Sequence, residues 1–144
     1  MPDINIRRYF AYGSNMDQVQ MRRRCPGAMV VGTARLQGHR FMINRRGVAS
    51  VISAVARDVY GVLWDITPAH ERALDDYEGI DVGWYSKTVI DVATTAADTQ
   101  QAMIYIACDQ TEGTPRRGYL EKIVTAAEGW HFPEAYIEGL RSWL

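Results

Sequence analysis

Between Ala28 and Ile66 the sequence offers extended backbone almost without pause, and no long helical pattern interrupts it. The stretches Ala28 to Ala34, Arg40 to Asn44, Val48 to Ala56 and Val59 to Ile66 are rich in β-branched and aromatic residues, which favour sheet. Ile4 to Ala11 alternates as a strand before them and runs into Tyr12-Gly13-Ser14-Asn15. Trp84 to Ala93 and Gln101 to Cys108 supply two more strands, parted by a polar turn from Thr94 to Thr99. Helical signals are shorter. Met16 to Arg24 reads as a helix stopped by Pro26-Gly27, and Thr67-Pro68 supplies an N-cap and first helical residue. That second helix should run to about Tyr77, with Gly79 allowing a left-handed end. Leu120, Ile123, Val124 and Ala127 follow helical spacing, as do Tyr136, Leu140 and Trp143 after Pro133. Strands first and helices to one side make an α+β fold, with the sheet able to curl into a barrel.

The chain has 144 residues, 47% of them apolar, so a single domain over residues 1–144 can bury a full core without disulfide or metal staples. No repeat, low-complexity tract or linker divides it. The longest apolar run, Ala102 to Cys108, is far too short to span a bilayer, and Met1 to Asn5 holds no signal-peptide core, so no membrane role is expected. A net charge of -1 gives no overall field for nucleic acid. The two halves differ, however: residues 1–72 carry a balance of +6 and residues 73–144 one of -7. Such a separation either places an anion-binding surface beside an acidic one or lets the halves attract as they pack. The Arg22-Arg23-Arg24 run is expected on a solvated helix face. Cys25 and Cys108 are unpaired in sequence, and His39, His70 and His131 lack metal-ligand spacing, so the expected protein is cytoplasmic, reduced, and free of metal and cofactor. Trp64, Trp84, Trp130 and Trp143 belong in the core or at a contact between two copies of the chain, a homodimer.

Two places carry chemistry. A strand that feeds Tyr12-Gly13-Ser14-Asn15 and then a helix gathers backbone N–H groups at a helix N-terminus, where a carboxylate or phosphate is favoured. The plainer alternative is that Ser14 or Asn15 only caps that helix. Asp75, Asp76, Glu78 and Asp81 crowd carboxylates at a helix C-terminus, against the dipole and against one another. Such crowding, with any burial, raises a carboxyl pKa toward the range of a proton carrier, and Glu78, just before Gly79, is the best placed. Here the alternative is a solvated acidic surface.

Tyr12-Gly13-Ser14-Asn15 after an early strand, followed in mid-chain by Leu74-Asp75-Asp76-Tyr77-Glu78-Gly79, resembles the gamma-glutamylcyclotransferase family with its AIG2-like branch. The resemblance extends through Val59 to Trp64, Tyr85, Tyr119, Ala126-Ala127 and the Pro133 to Tyr136 segment. It implies a small mixed β-barrel with flanking helices and a cavity where the first loop meets the mid-chain glutamate. By position, it implies Glu78 as the acid/base, Tyr12, Gly13, Ser14 and Asn15 as the substrate-binding loop, and Tyr85 and Tyr119 as further cavity residues. Ala126 departs from the family, standing where relatives often have glycine.

The implied reaction closes a gamma-glutamyl amide into 5-oxoproline and expels an amine or amino acid, with the substrate's own α-amine as nucleophile. Orienting an intramolecular attack needs no serine triad, reactive cysteine or metal. The implied partner is a small gamma-glutamyl substrate. Rival readings are a non-catalytic module that binds a small acid and a hydrolase acting on the same amide.

Overall fold

The computed structural model describes residues 5–94 and 98–144. Its centre is a closed barrel of five strands in the order β1 (Arg7–Ala11), β3 (Ala49–Ile66), β2 (Met29–Ile43), β4 (Tyr85–Thr94) and β5 (Thr99–Ala107). All pairings are antiparallel except the one that closes the ring, where β1 runs parallel to β5 with Tyr9 opposite Met103. The ladders are unequal. β2 and β3 form one long hairpin from Met29–Asp65 to Ile43–Ala49, whereas among the described residues β2 meets β4 at Ala34–Thr94 and Arg35–Ala93 alone. The barrel is thus a β1-β3-β2 sheet and a β4-β5 hairpin joined along two narrow seams. Phe10, Leu36, Leu63, Ile66, Met103 and Ile104 are fully buried in its core.

Four helices flank the barrel: α1 (Gln18–Arg24), α2 (Pro68–Glu78), α3 (Tyr119–Gly129) and α4 (Glu134–Arg141). The α+β barrel with flanking helices agrees with the sequence expectation. At α2 the local chemistry also agrees. The Thr67 hydroxyl accepts from the His70 N–H at 3.2 Å, and His70 Nδ1 accepts from the Thr67 N–H at 3.1 Å, a reciprocal capping box. His70 Nε2 then donates to the Pro26 carbonyl at 2.6 Å, giving the histidine a structural task that its spacing did not suggest. At the other end Gly79 adopts φ +65°, and a Cβ there would lie 2.4 Å from the Trp84 ring, so both backbone and space require glycine.

Several element boundaries need correction. The expected strands Ala28 to Ala34 and Arg40 to Asn44 are one strand, β2, and Val48 to Ala56 and Val59 to Ile66 are likewise one strand, β3. The interruptions are bulges. Register shifts fall between Val30 and Gly32 and between Gln37 and His39, and the four residues 54–57 of β3 loop out opposite the second shift. Met16 to Arg24 is not a single helix: Ser14–Met16 forms a 3-10 turn, and α1 begins afresh at Gln18 with Asp17 as its cap. The expected strand start at Ile4 and residues 95–97 of the polar turn from Thr94 to Thr99 lie outside the described residues. Among the described residues no helix is long and apolar enough to cross a membrane.

Candidate active site

β1 delivers the chain into Tyr12, Gly13, Ser14 and Asn15 at one end of the barrel, and the end of α2 brings Glu78 to the same place. Between them lies a small cavity, open on one side, which Tyr12, Gly13, Ser14, Asn15, Glu78, Tyr85 and Tyr119 all line. The seven residues that the resemblance implied for the site therefore line one space. Tyr9, Phe10, Ala49 and Tyr105 complete its wall.

The loop is held rigidly. Asn15 is buried; its Nδ2 donates to the Tyr9 hydroxyl at 3.0 Å, while its Oδ1 accepts from Gln20 Nε2 and Arg24 Nη1, each at 2.9 Å. The Ser14 hydroxyl accepts a second bond from Gln20 Nε2 at 2.7 Å. Neither side chain caps a helix, because that task falls to Asp17, whose carboxylate accepts from the Val19 N–H at 3.1 Å. The loop's N–H groups accordingly stand at the start of a 3-10 turn rather than of α1. Those of Gly13, Ser14 and Asn15 have no acceptor among the described residues, so three donors remain for a ligand. Gly13 has an ordinary negative φ of -112°, and a Cβ there would sit 3.6 Å from both Ala49 Cβ and the Tyr119 hydroxyl, toward the cavity.

Two tyrosines grip one residue of the opposite wall. The Tyr85 hydroxyl donates to the Ala49 carbonyl at 2.6 Å, and the Tyr119 hydroxyl accepts from the Ala49 N–H at 3.0 Å. The Tyr12 hydroxyl donates to the Tyr105 carbonyl at 2.6 Å and spans the β1–β5 seam. Burial pushes the phenols of Tyr9, Tyr12, Tyr85, Tyr105 and Tyr119 well above their usual range, so all remain neutral donors at physiological pH.

The acidic cluster divides by function. Asp75 pairs with Lys87 at 2.9 Å and accepts from the Tyr105 hydroxyl at 2.7 Å, while Asp76 and Asp81 face solvent. Glu78 alone turns into the cavity, partly buried, with no hydrogen bond or ion pair to any described residue. Burial lifts its carboxyl from the ordinary 4.5 to about 7, opposed by the charge of Arg24. The cause differs from the sequence argument, since the neighbouring aspartates contribute nothing and loss of water does the work.

Sequence reasoning missed Tyr9, Tyr105, Ala49 and Arg24. Tyr105 left a trace as the one hydroxyl in the apolar run Ala102 to Cys108, a group that needs a buried partner. Arg24 departs from the expected solvated face, for it points back to Asn15 and stacks on the Tyr77 ring at 4.2 Å. Ala126 does not line the cavity, and neither do Cys25, which is buried elsewhere, and Cys108, which is exposed. Trp84 is half exposed rather than a core residue.

A closed mixed barrel thus carries a polar, tyrosine-walled cavity with free N–H donors on one side and an unpaired carboxyl on the other. Residues 58–140 match the model of the AIG2-like family, and the chain belongs to that family. It is 26% identical over 151 residues to the gamma-glutamylcyclotransferase of Homo sapiens, an alignment covering 98% of this chain and 80% of the relative. The Mus musculus gamma-glutamylcyclotransferase is 27% identical over 144 residues, covering 93% of this chain and 77% of that one. A solved structure of a gamma-glutamyl cyclotransferase superposes with a TM-score of 0.90 at 25% identity, over 97% of this chain and 89% of the other. The Bacillus subtilis protein YkqA shares the fold, with a TM-score of 0.81 at 23% identity over 96% of this chain and 54% of YkqA.

Proposed function

We propose that the protein cyclises a gamma-glutamyl amide to 5-oxoproline with release of an amine or amino acid. The observation that carries this reading is the unpaired Glu78 carboxyl facing the free N–H groups of Gly13 to Asn15 across one small cavity. The substrate's α-amine attacks its own side-chain carbonyl carbon, the five-membered ring closes, and the bond from that carbon to the leaving nitrogen breaks. Glu78 takes a proton from the α-ammonium and returns one to the leaving nitrogen, a cycle served by a carboxyl poised near 7. The loop's N–H groups bind an oxyanion or the substrate carboxylate, as their position at the start of a turn favours. The neutral tyrosines shape the cavity without competing for the proton. Holding amine and carbonyl in one conformer supplies much of the acceleration, so no protein nucleophile is required.

The test uses a gamma-glutamyl amide and its α-N-acetylated counterpart, with products read by mass spectrometry. The first should yield 5-oxoproline and free amine, and the second should be inert, because its nitrogen no longer attacks. EDTA and thiol alkylation should leave the rate unchanged, since neither cysteine lines the cavity. Free glutamate from the first compound, or N-acetylglutamate from the second, would establish water as the nucleophile and a hydrolase instead. Tight binding without any product would leave a binding module.

A further inference from the structure

Outside the cavity, sharing Ser14, Glu78, Tyr85 and Tyr119 with it, opens a wider vestibule walled by Arg24, Arg46, Arg116, Arg117 and Lys122. Glu78 is the only carboxylate among its lining residues. Lys122 has a carboxylate neighbour, Asp17 at 3.9 Å, but none of the four arginines forms an ion pair with a described residue. This contrasts with Arg7, Arg8, Arg35, Arg40, Arg45 and Arg141, each of which meets an acid elsewhere on the surface.

The arginines occupy two stations. On one side Arg24 lies over the Tyr77 ring at 4.2 Å and is tied to Asn15. On the other Arg46 lies over the Trp84 ring at 4.0 Å, and its backbone carbonyl accepts from Arg116 Nε at 2.9 Å, which draws Arg116 and its neighbour Arg117 to the same rim. Stacking occupies the face of a guanidinium and fixes its plane, but leaves edge N–H groups for a carboxylate to accept in pairs. Tyr77 and Trp84 are exposed aromatic rings.

Resting on the cyclotransferase reading, we infer that this vestibule is the leaving-group subsite and that it selects gamma-glutamyl compounds whose leaving group is an acidic amino acid, with one carboxylate for each arginine station. The gamma-glutamyl part fills the inner cavity, and the leaving nitrogen passes Glu78 at the junction of the two spaces. The leaving group's α-carboxylate and side-chain carboxylate then meet separate guanidinium groups, neither of which forms an ion pair with a described residue.

The experiment compares gamma-glutamyl-glutamate with gamma-glutamyl-glutamine, which match in size and differ by one charge. At low salt kcat/KM for 5-oxoproline formation should favour the first by about tenfold, and added KCl should shrink the preference through screening. Arg46→Met, which keeps the apolar stem, should bring the ratio to about twofold, Arg46→Lys should retain part of it, and Arg72→Gln, an equal charge change on α2 outside the vestibule, should leave it intact. Equal kcat/KM for the two dipeptides overturns the inference while leaving the cyclotransferase reading standing. Should neither dipeptide give 5-oxoproline, the cyclotransferase reading is decided separately by the gamma-glutamyl amide test above, and calorimetric titration of the Glu78→Gln protein with the same pair still decides the subsite. There, equal affinities overturn it and tighter binding of the glutamate compound supports it.

Discussion

Glu78 should weaken the fold that holds it, and the size of that effect follows from its burial. Its carboxyl ionises near 7 in the folded chain against an ordinary 4.5, so between these values the folded state holds a proton that the unfolded chain has released. Stability is therefore undiminished below about pH 4.5, falls as pH rises through that window, and carries the full penalty above about 7. At about 1.4 kcal/mol for each tenfold change in proton affinity, the penalty is about 3 kcal/mol at pH 8.5. Glu78→Gln keeps the shape and removes the charge. For a domain of this size it should raise Tm by roughly 8 °C at pH 8.5 and by almost nothing at pH 4. The same variant should bind substrate within a few-fold of wild type and lose on the order of 10²-fold or more in turnover. Differential scanning fluorimetry across pH, paired with 5-oxoproline release, reads both. A Tm gain that is the same at both pH values, or absent at both, would refute the argument that burial holds this carboxyl up, and near-normal turnover would remove Glu78 from the mechanism.

Gly13→Val should weaken glutamate-like ligands by on the order of tenfold or more with little change in Tm, since the added methyls point at the cavity and φ is already negative; unchanged affinity measured by titration would count against the loop as the binding element. Gly79→Ala should cost more than about 2 kcal/mol in denaturant unfolding, because it places a side chain at φ +65° and against the Trp84 ring. Arg24→Gln removes the cation that favours the Glu78 carboxylate, so the rising limb of kcat/KM with pH should move from about 7 to higher pH; a limb that stays put would show that another group controls it.

What could be read in the sequence was whatever local chemistry decides. Thr67, Pro68 and Gly79 announce the two ends of α2 because cap and left-handed turn are satisfied within a few residues. The sequence divides β2 at the gap that holds Gly38, and β3 at Arg57-Asp58, because glycine and charged residues read as strand ends, whereas both mark an irregularity within a ladder whose partner strand alone reveals continuity. The loop and Glu78 were legible through the resemblance, but the reason for the glutamate's high proton affinity was not. Burial depends on how the barrel closes, while the adjacent acids that looked responsible are drawn off by Lys87, Tyr105 and solvent. Tyr9 and Arg24 were invisible for a related reason, since both are defined by Asn15, a partner in a different element. One meaning of the charge asymmetry between the halves is visible in the fold, where the halves attract as they pack. Arg40 and Arg45 reach across to Glu112 and Asp109, and Arg24 and Arg46 are left at the cavity mouth.

The narrow seams on either side of β4 and β5 bear on how the molecule breathes. The β4–β5 hairpin has a full ladder inside and, among the described residues, only short backbone ladders to β1 and β2, so its boundary amides should exchange with solvent before those of the β2–β3 hairpin. Tyr85 and Tyr105 ride on that hairpin, whereas Tyr12, Glu78 and the loop belong to the remainder. The cavity thus straddles the line along which the fold parts most readily. An occupant that touches both sides acts as a clasp, so the slowing of exchange along β4 and β5 becomes a direct gauge of how fully the cavity is filled.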